Sequence, residues 1–420
     1  MLSARAAYVV IILFATLSSL QPNWHDGLVR ERLARAIEPT IAWRDTIDGL
    51  RNILLFAGFG AVWEVTSPSG RLRSALWRAT LYGAVISTCV ETLQLFSPIR
   101  LASILDVATN TGGSFIGAFG LAVIIAAVRA RNEAKSYLGV PTFLLALGQI
   151  GAVAMEGATP LFRQEVIPVG GGPLTRLRHT VGAATPLTLG SIPMGDLVLS
   201  IPAGFLAVAA LAELGASRTA AAIGVAIVGT VLAFGSEVAH GATGEVIVWG
   251  AVVAHALGIA CGAMVATAFL PAITQRFRGA ARVRVFLLAY AAVLAAWLWR
   301  PFVPRGSFAE MADQNTREAW IPMASLAARG DVFTVGHVMQ LFFLMLPVGA
   351  VLGAWPVSER GWLRWVLPAV WLSALFELGH IVIAARTFDV TNALIMIAGA
   401  WVGWWIVKRA GVPKRGTLLA

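Results

Sequence analysis

The chain has 420 residues, of which 58% are hydrophobic and 13% carry a charged side chain. Soluble domains have about 25% charged residues, so this composition excludes an ordinary soluble protein. The formal net charge of +10 could suit a nucleic-acid-binding protein, but the basic residues stand in short clusters at the ends of apolar stretches. No stretch combines basic and aromatic residues into a nucleic-acid platform, so we expect a membrane protein with no nucleic-acid partner.

Apolar stretches of about 20 residues, the length that crosses the hydrocarbon core as an α-helix, recur along the chain. The same succession of features occurs in each third. An apolar span ends near a proline, and a long segment then leads to an acidic residue. A helix with a small-residue signature follows, then a basic turn, a helix that carries a glutamate, and a glycine-rich helix. The prolines are Pro22, Pro160 and Pro301, the acidic residues Asp48, Asp196 and Asp331, and the signature glycines Gly60, Gly204 and Gly349.

The helices that carry a glutamate define the register between the thirds. They read Glu91-Thr-Leu-Gln94, Glu237-Val-Ala-His240 and Glu377-Leu-Gly-His380. Three further pairs lie at matching distances after their glutamates: Arg100 with Arg386, Gly117 with Gly403, and Gly112 with Gly258. We therefore predict an all-α, polytopic integral membrane protein with about twelve transmembrane helices in three four-helix units, residues 1–135, 136–280 and 281–420.

Polar residues that lie at membrane depth mark candidate sites, because burying an ionisable group there is costly. In the first unit, Glu91 and Gln94 share one helical face, and Asp106 and Asn110 share another. Arg100 lies in the turn between these two helices. The candidate site at the outer membrane face comprises Asp48, Asn52, Glu91, Gln94, Arg100, Asp106 and Asn110.

These motifs resemble the pattern of the VanZ-like family: an acidic residue and Asn before an apolar helix, then Glu91-x-x-Gln94, Arg100 and Asp106-Val-x-x-Asn110-Thr-Gly. The resemblance covers residues 45–125 well and residues 331–408 more loosely. A secondary cluster in the third unit comprises Glu377, His380, Arg386, Asp389 and Asn392. The middle unit has no counterpart of the Arg or of the Asp-x-x-x-Asn, and has Glu245 and His255 in their place.

The resemblance implies a bacterial cell-envelope role. The family is named for a member associated with low-level resistance to the glycopeptide teicoplanin, and it implies no particular reaction. We expect a multi-pass protein of the cytoplasmic (inner) membrane whose termini are both cytoplasmic, since the basic clusters fit the positive-inside bias. The first apolar span is expected to be a retained helix rather than a signal peptide, because equivalent spans open the other two units.

Several readings of the polar cluster stay open. It could recognise an anionic headgroup of a membrane lipid or lipid-linked glycan, with arginine as the phosphate ligand and a carboxylate positioning a hydroxyl. It could equally be structural, with ion pairs and helix caps only. A transporter or flippase of an envelope component, and a non-catalytic scaffold for a neighbouring polysaccharide machine, are the alternative functions. Whether a reaction is catalysed is not decided by these residues.

No metal site and no cofactor are expected. Glu-x-x-His, the spacing of Glu237 with His240 and of Glu377 with His380, occurs in carboxylate-bridged metal sites, with His255 and His337 as further candidate ligands. The first unit, however, has Gln94 in the histidine position, and an amide is a poor metal ligand. Motifs for phosphate-binding loops, nucleophile elbows and zinc proteases are absent from the sequence.

The predicted topology is testable by labelling intact cells. A single cysteine placed in segment 22–45 of a variant without Cys89 and Cys261 should react with a membrane-impermeant maleimide. A cysteine placed at 408–415, where the basic residues predict the cytoplasm, should react only after the cells are permeabilised. Protection of the 22–45 cysteine in intact cells would overturn this orientation.

Overall fold

The computed structural model describes residues 2–17, 26–37, 43–67, 72–97, 102–130, 137, 140–158, 173–243, 245–277, 280–300, 302–307, 317–322, 324, 333–354, 361–383 and 386–410. In this part of the chain the fold is built from fourteen α-helices and two short 3-10 helices, with no β-strand. Helices α1 to α5 are Leu2–Leu17, Asp26–Ile37, Trp43–Val65, Leu72–Gln94 and Ile104–Ala130. Helices α6 to α10 are Thr142–Ala158, Pro173–Gly182, Met194–Glu213, Arg218–Thr243 and Trp249–Arg276. Helices α11 to α14 are Ala280–Leu298, Phe333–Ala354, Gly361–Val382 and Val390–Arg409.

Seven of the helices are long and apolar enough to cross a membrane. They contain Ile104–Val128, Met194–Glu213, Arg218–Ala242, Trp249–Arg276, Ala281–Leu298, Gly336–Ala354 and Val390–Arg409. Four shorter apolar helical stretches are Ala4–Leu17, Asn52–Val65, Thr142–Met155 and Val366–Val382. The prediction of an all-α polytopic membrane protein is therefore confirmed, whereas the number of twelve spans stays a prediction.

Two short helices, α2 and α7, were not predicted from the sequence. Both lie in the long segments that follow the first apolar span of a unit, and both contain several charged residues. Apolar and charged residues are interspersed in both helices, so neither helix has the continuous apolar run that identifies a membrane span.

The chain divides into two compact units, Met1–Ala126 and Ala127–Ala420. In the first, α3 packs against α4 and α1 packs against α3. Its core is formed by Ile12, Phe56 and Phe59, none of which is more than 1% exposed. This unit contains all described residues of the candidate site.

The second compact unit contains nine α-helices in the described part of the chain. Helices α8 and α10 form one close pair, and α12 and α14 form another. Helix α6 packs against both α8 and α12, and α11 also contacts both. The predicted units 136–280 and 281–420 therefore share one core here, which includes Leu199, Leu294 and Met345.

Glycines bring three helix pairs into close contact in the same way. In α5, a Cβ on Gly113 or Gly117 would overlap the carbonyl group of the residue it faces in α3. In return, a Cβ on Gly60 in α3 would overlap the Ser114 carbonyl in α5. Small residues allow such approach in membranes, where apolar burial does not drive helices together. The same three contacts involve Gly258, Gly262 and Gly204 in α8–α10, and Gly399, Gly403 and Gly349 in α12–α14.

These contacts correct one detail of the predicted register. Gly113, and not Gly112, occupies the position of Gly258, because no atom lies within 4 Å of a Cβ built on Gly112. The connection after Glu237 is one residue shorter than the connection after Glu91, so matching positions by distance alone shifts the middle unit by one residue. The recurrence of the contacts supports the three-unit prediction, which remains a prediction.

Gly117→Ala should destabilise the protein, whereas Gly120→Ala in the same helix should not. The new methyl group at 117 meets the backbone of Ala57, and overpacking of this kind costs about 1–3 kcal/mol. Position 120 has no atom within 4 Å of its Cβ, and alanine favours a helix by about 1 kcal/mol over glycine. Thermal unfolding of the purified variants in detergent measures both. Equal midpoints for the two variants would contradict the close packing of α3 and α5.

Candidate functional site

The candidate site lies where α4 meets α5. Ser87, Glu91 and Gln94 are four and three residues apart, so they lie on one face of α4. All three are at most 8% exposed, while Thr88 and Thr92, on a different face of the same helix, are exposed. Their burial agrees with the prediction that Glu91 and Gln94 share one face of the helix. Ser87 is a further residue of that buried face.

Glu91 is bonded to the start of the next helix. The backbone N–H of Ser103, the residue before α5, donates to Glu91 Oε2 over 2.8 Å. The Ser103 hydroxyl oxygen in turn accepts from the N–H of Leu105 over 3.2 Å. The first N–H groups of a helix have no partner within the helix, and a carboxylate there is also favoured by the helix dipole. Glu91 therefore caps α5 from the neighbouring helix.

Asp106 lies in the first turn of α5 and is half-buried. Its N–H donates to the carbonyl of Ser103 over 3.1 Å. Asp106, in the first turn of α5, and Glu91, which accepts from Ser103, are two acidic residues near the positive end of this helix dipole.

Asn110 lies one turn further along α5 and is only 2% exposed. Its Nδ2 donates to Ser87 Oγ over 2.8 Å, which joins α4 and α5. Its Oδ1 is buried and accepts no hydrogen bond from the described residues. A buried hydrogen-bond acceptor that lacks a donor is uncommon in folded proteins.

The structure describes the other predicted site residues of the first unit to different extents. Gln94 Nε2 donates to the carbonyl of Thr16 in α1 over 3.2 Å. Asn52 is half-buried in α3. Asp48 lies in α3 with a side chain outside the described part, and Arg100 lies outside the described residues altogether.

The bond from a buried glutamate to the start of the next helix occurs three times. Glu237 Oε2 accepts from the N–H of Val248, the N-cap of α10, over 2.9 Å. Glu377 Oε2 accepts from the N–H of Asp389, the N-cap of α14, over 3.1 Å. In each helix pair, the glutamate therefore contacts the residue in the same position.

The third-unit cluster differs from the pattern that the sequence suggested. Asp389 occupies the position of Ser103, because it receives the glutamate bond and its Oδ1 accepts from the N–H of Thr391 over 2.8 Å. Asp389-Val resembles Asp106-Val in sequence but lies three residues earlier relative to the helix start. Asn392, half-buried in the first turn, is the residue whose position matches that of Asp106.

The position of Asn110 holds a different residue in each helix pair. Three residues before the first contact glycine stand Asn110, His255 and Met396. His255 Nδ1 lies 2.8 Å from Ser200 Oγ. Met396 is buried at 1% exposure, and the hydroxyl of the buried Ser373, four residues before Glu377, has no hydrogen-bond partner in the described part of the chain. Among the three positions, only that in the first unit carries an amide.

The histidines of the Glu-x-x-His pairs are bonded within their own pair. His240 Nδ1 lies 3.0 Å from Glu237 Oε1, and His380 Nδ1 lies 3.2 Å from Glu377 Oε2. His380 Nε2 also lies 3.2 Å from the carbonyl oxygen of Leu298. Within the described ranges, no three His, Cys, Asp or Glu side chains come together as metal ligands.

Arginines of the second compact unit are held at the same end as His380. Arg386 Nε donates to the carbonyl of Arg300 over 2.9 Å, and Arg300 lies 3.4 Å from Asp196. Arg305 donates to the carbonyl groups of Ile381 and Arg386. The roles of Arg300 and Arg305 were not predicted, because nothing in the local sequence links them to partners about 80 residues or more away.

Ser87 and Ser103 were also missed, although their positions held a signal. Ser87 precedes Glu91 by four residues, which places it on the same face. Ser103 directly precedes the apolar run of α5, where serine is a favoured N-cap.

Comparison with known families gives one match. Residues 5–126 match the family model described as VanZ/LLP1. The matched range agrees with the first compact unit and contains the whole predicted site from Asp48 to Asn110. Searches of curated proteins and of solved structures found no match.

Replacing Glu91 separates its capping bond from its charge. Glu91→Gln keeps a side-chain oxygen that accepts from Ser103 N–H, so the thermal midpoint should fall only slightly, in line with a dipole contribution of about 0.3–1 kcal/mol. Glu91→Leu leaves a buried N–H without an acceptor and should cost about 1–3 kcal/mol more. Glu377→Gln and Glu377→Leu provide the matched pair in α13. Equal losses for Gln and Leu would show that Glu91 does not act as a cap.

Proposed function

Because residues 5–126 match the VanZ/LLP1 family model and the chain has several helices able to span a membrane, we propose that it is a bacterial cell-envelope factor associated with glycopeptide resistance or surface polysaccharide. In this proposal, the first unit recognises the headgroup of a lipid-linked or cell-wall precursor at the outer face of the inner membrane.

The observation that carries the proposal is the buried oxygen of Asn110. It lacks a donor, while its amide nitrogen is fixed by Ser87. The hydroxyl of a glycan or polyprenyl headgroup is such a donor. Arg100, in the turn between α4 and α5, would bind the phosphate of the same headgroup, because the guanidinium fork matches phosphate oxygens.

The position of Asp106 supports the same ligand. Its carboxylate lies in the first turn of α5, four residues before Asn110 in the same helix. A carboxylate there would orient a hydroxyl group of the headgroup. The capping bond of Glu91 occurs in all three helix pairs, so we assign it to structure and assign recognition to Asn110, Asp106 and Arg100.

The lipid that copurifies with the protein tests this proposal. Arg100→Ala should reduce the phosphate-bearing lipid in the purified protein by about tenfold or more, since a hydrogen bond to a charged group contributes roughly 1.5–3 kcal/mol. Asn110→Met, which introduces the residue found at the equivalent position of α14, should also reduce it while the protein stays folded. Lipid extraction and mass spectrometry measure the retained species, and Thr92→Ala on the exposed face of α4 is the control.

Unchanged lipid retention in both variants would contradict the proposal of headgroup recognition. If the protein is instead a scaffold, alanine at Arg100 or Asp106 should leave the teicoplanin susceptibility of a complemented deletion strain unchanged. Loss of resistance together with loss of the lipid would favour recognition over the scaffold.

A transporter or flippase is the second candidate, and one observation favours it. His255 and Ser200 form a polar pair within two of the helices that are long enough to cross a membrane. Ionisable residues inside membrane spans commonly mark ion or proton pathways, which suits a proton-coupled step. Translocation of a labelled lipid in proteoliposomes, abolished by His255→Ala, would establish this candidate, whereas its absence in the wild-type protein would exclude it.

A further inference from the structure

An apolar groove lies in the second compact unit between α8, α10 and α11. Its volume is about 250 Å³. Phe205 and Ala209 of α8, Leu270 of α10, and Phe286 and Ala289 of α11 are among the residues that line it. It belongs to Ala127–Ala420, so it is separate from the site of the first unit.

The groove is continuous with the surface that faces lipid. Ala289 lines the groove and is exposed, and Val265, another lining residue, is 41% exposed. Leu288, next to Ala289 in the chain, is 72% exposed and lies outside the groove. In a helix long enough to cross a membrane, such exposed apolar residues face acyl chains.

The hydroxyl groups of two residues that line the groove are hydrogen-bonded within the protein. Tyr290 Oη lies 2.6 Å from Gln149 Oε1 and 2.9 Å from the carbonyl oxygen of Leu344. Thr274 Oγ1 donates to the carbonyl of Pro271 over 2.9 Å. The groove is therefore lined by carbon atoms and aromatic faces, which suits an acyl chain and offers no site for a polar ligand.

The length of the groove matches one leaflet. Along α11 it runs from Arg282 to Val293, and eleven residues of α-helix rise about 16 Å. Half of the hydrocarbon core is about 15 Å thick. A partner helix that crosses the membrane would require an apolar surface about twice as long.

One end of the groove is basic. Residues 276–284 contain four arginines and no acidic residue. Arg282 lines the groove and is held there by hydrogen bonds to the carbonyl groups of Phe277, Tyr137 and Thr274, at 2.9, 2.8 and 2.5 Å. Glu213, the acidic residue at this end of α8, accepts from the N–H groups of Tyr137 and Thr142, both over 2.8 Å.

We propose that this groove binds one acyl chain of an anionic phospholipid, whose phosphate lies beside Arg276, Arg282 and Arg284. The basic end places the lipid in the leaflet that the positive-inside bias assigns to the cytoplasm. The proposal does not depend on the function assigned to the first unit, which concerns a different set of helices.

Photo-crosslinking tests it on the full-length protein in nanodiscs. The probes are phosphatidylglycerol and phosphatidylcholine that carry the same diazirine-labelled acyl chain, and labelled peptides are mapped by mass spectrometry. We expect phosphatidylglycerol to label α8 and α11 at the groove, and phosphatidylcholine to label it several-fold less. Ala289→Trp, which fills the groove, should remove this labelling, whereas Leu288→Trp on the adjacent lipid-facing surface should leave it unchanged.

Arg276→Gln tests the headgroup contact without changing the groove. One basic residue near a membrane surface changes the affinity for anionic lipid about fivefold, and the variant should lose that much of the preference for phosphatidylglycerol. Labelling spread evenly over the lipid-facing helices, or labelling unaffected by Ala289→Trp in a folded protein, would overturn the proposal. A groove found crosslinked to another protein chain would overturn it as well, and equal labelling by both lipids would refute the anionic headgroup.

Discussion

A helix that begins at the edge of a bilayer presents backbone N–H groups where water is scarce, and each group left without an acceptor costs several kcal/mol. Three glutamates meet this constraint here. Glu91, Glu237 and Glu377 each lie buried near the end of one helix and accept from the N-terminal residue of the next. The bond fixes the short turn between the two helices, and it therefore determines which residues of the following helix face inward. The contact glycines and the position of Asn110 depend on that register.

Sequence patterns predicted the parts of the fold that depend on local chemistry. The apolar length of the helices and the shared face of Glu91 and Gln94 both follow from residue type and helical period. The sequence pattern did not predict the register of residues that follow a turn, because a turn interrupts the helical period. The turn after Glu237 is one residue shorter than the other two turns, so matching by distance alone paired Gly258 with Gly112 instead of Gly113.

Contacts between distant residues were beyond sequence reasoning. Gln149 and Tyr290 are 141 residues apart, and the bond between them joins α6 to α11 in the interior of the second compact unit. Arg300 and Asp196 are likewise 104 residues apart. Such pairs are decided by how the helices pack, and each residue taken alone reads as an ordinary polar group near a span. The amphipathic helices α2 and α7 were missed for the opposite reason, because their signal is local but too weakly apolar to suggest a membrane segment.

Recurrence separates structure from function within the first unit. A contact that appears in all three helix pairs, such as the glutamate cap or the glycine approach, serves the fold that the pairs have in common. Glu91 belonged to the predicted site, and by this criterion its role is structural. Asn110 does not recur, because histidine and methionine take its place in the other two helix pairs. By the same criterion, its amide is assigned to function. A buried amide oxygen that lacks a donor costs stability, so its presence in the one unit that matches the VanZ-like family is the strongest physical argument for a ligand there.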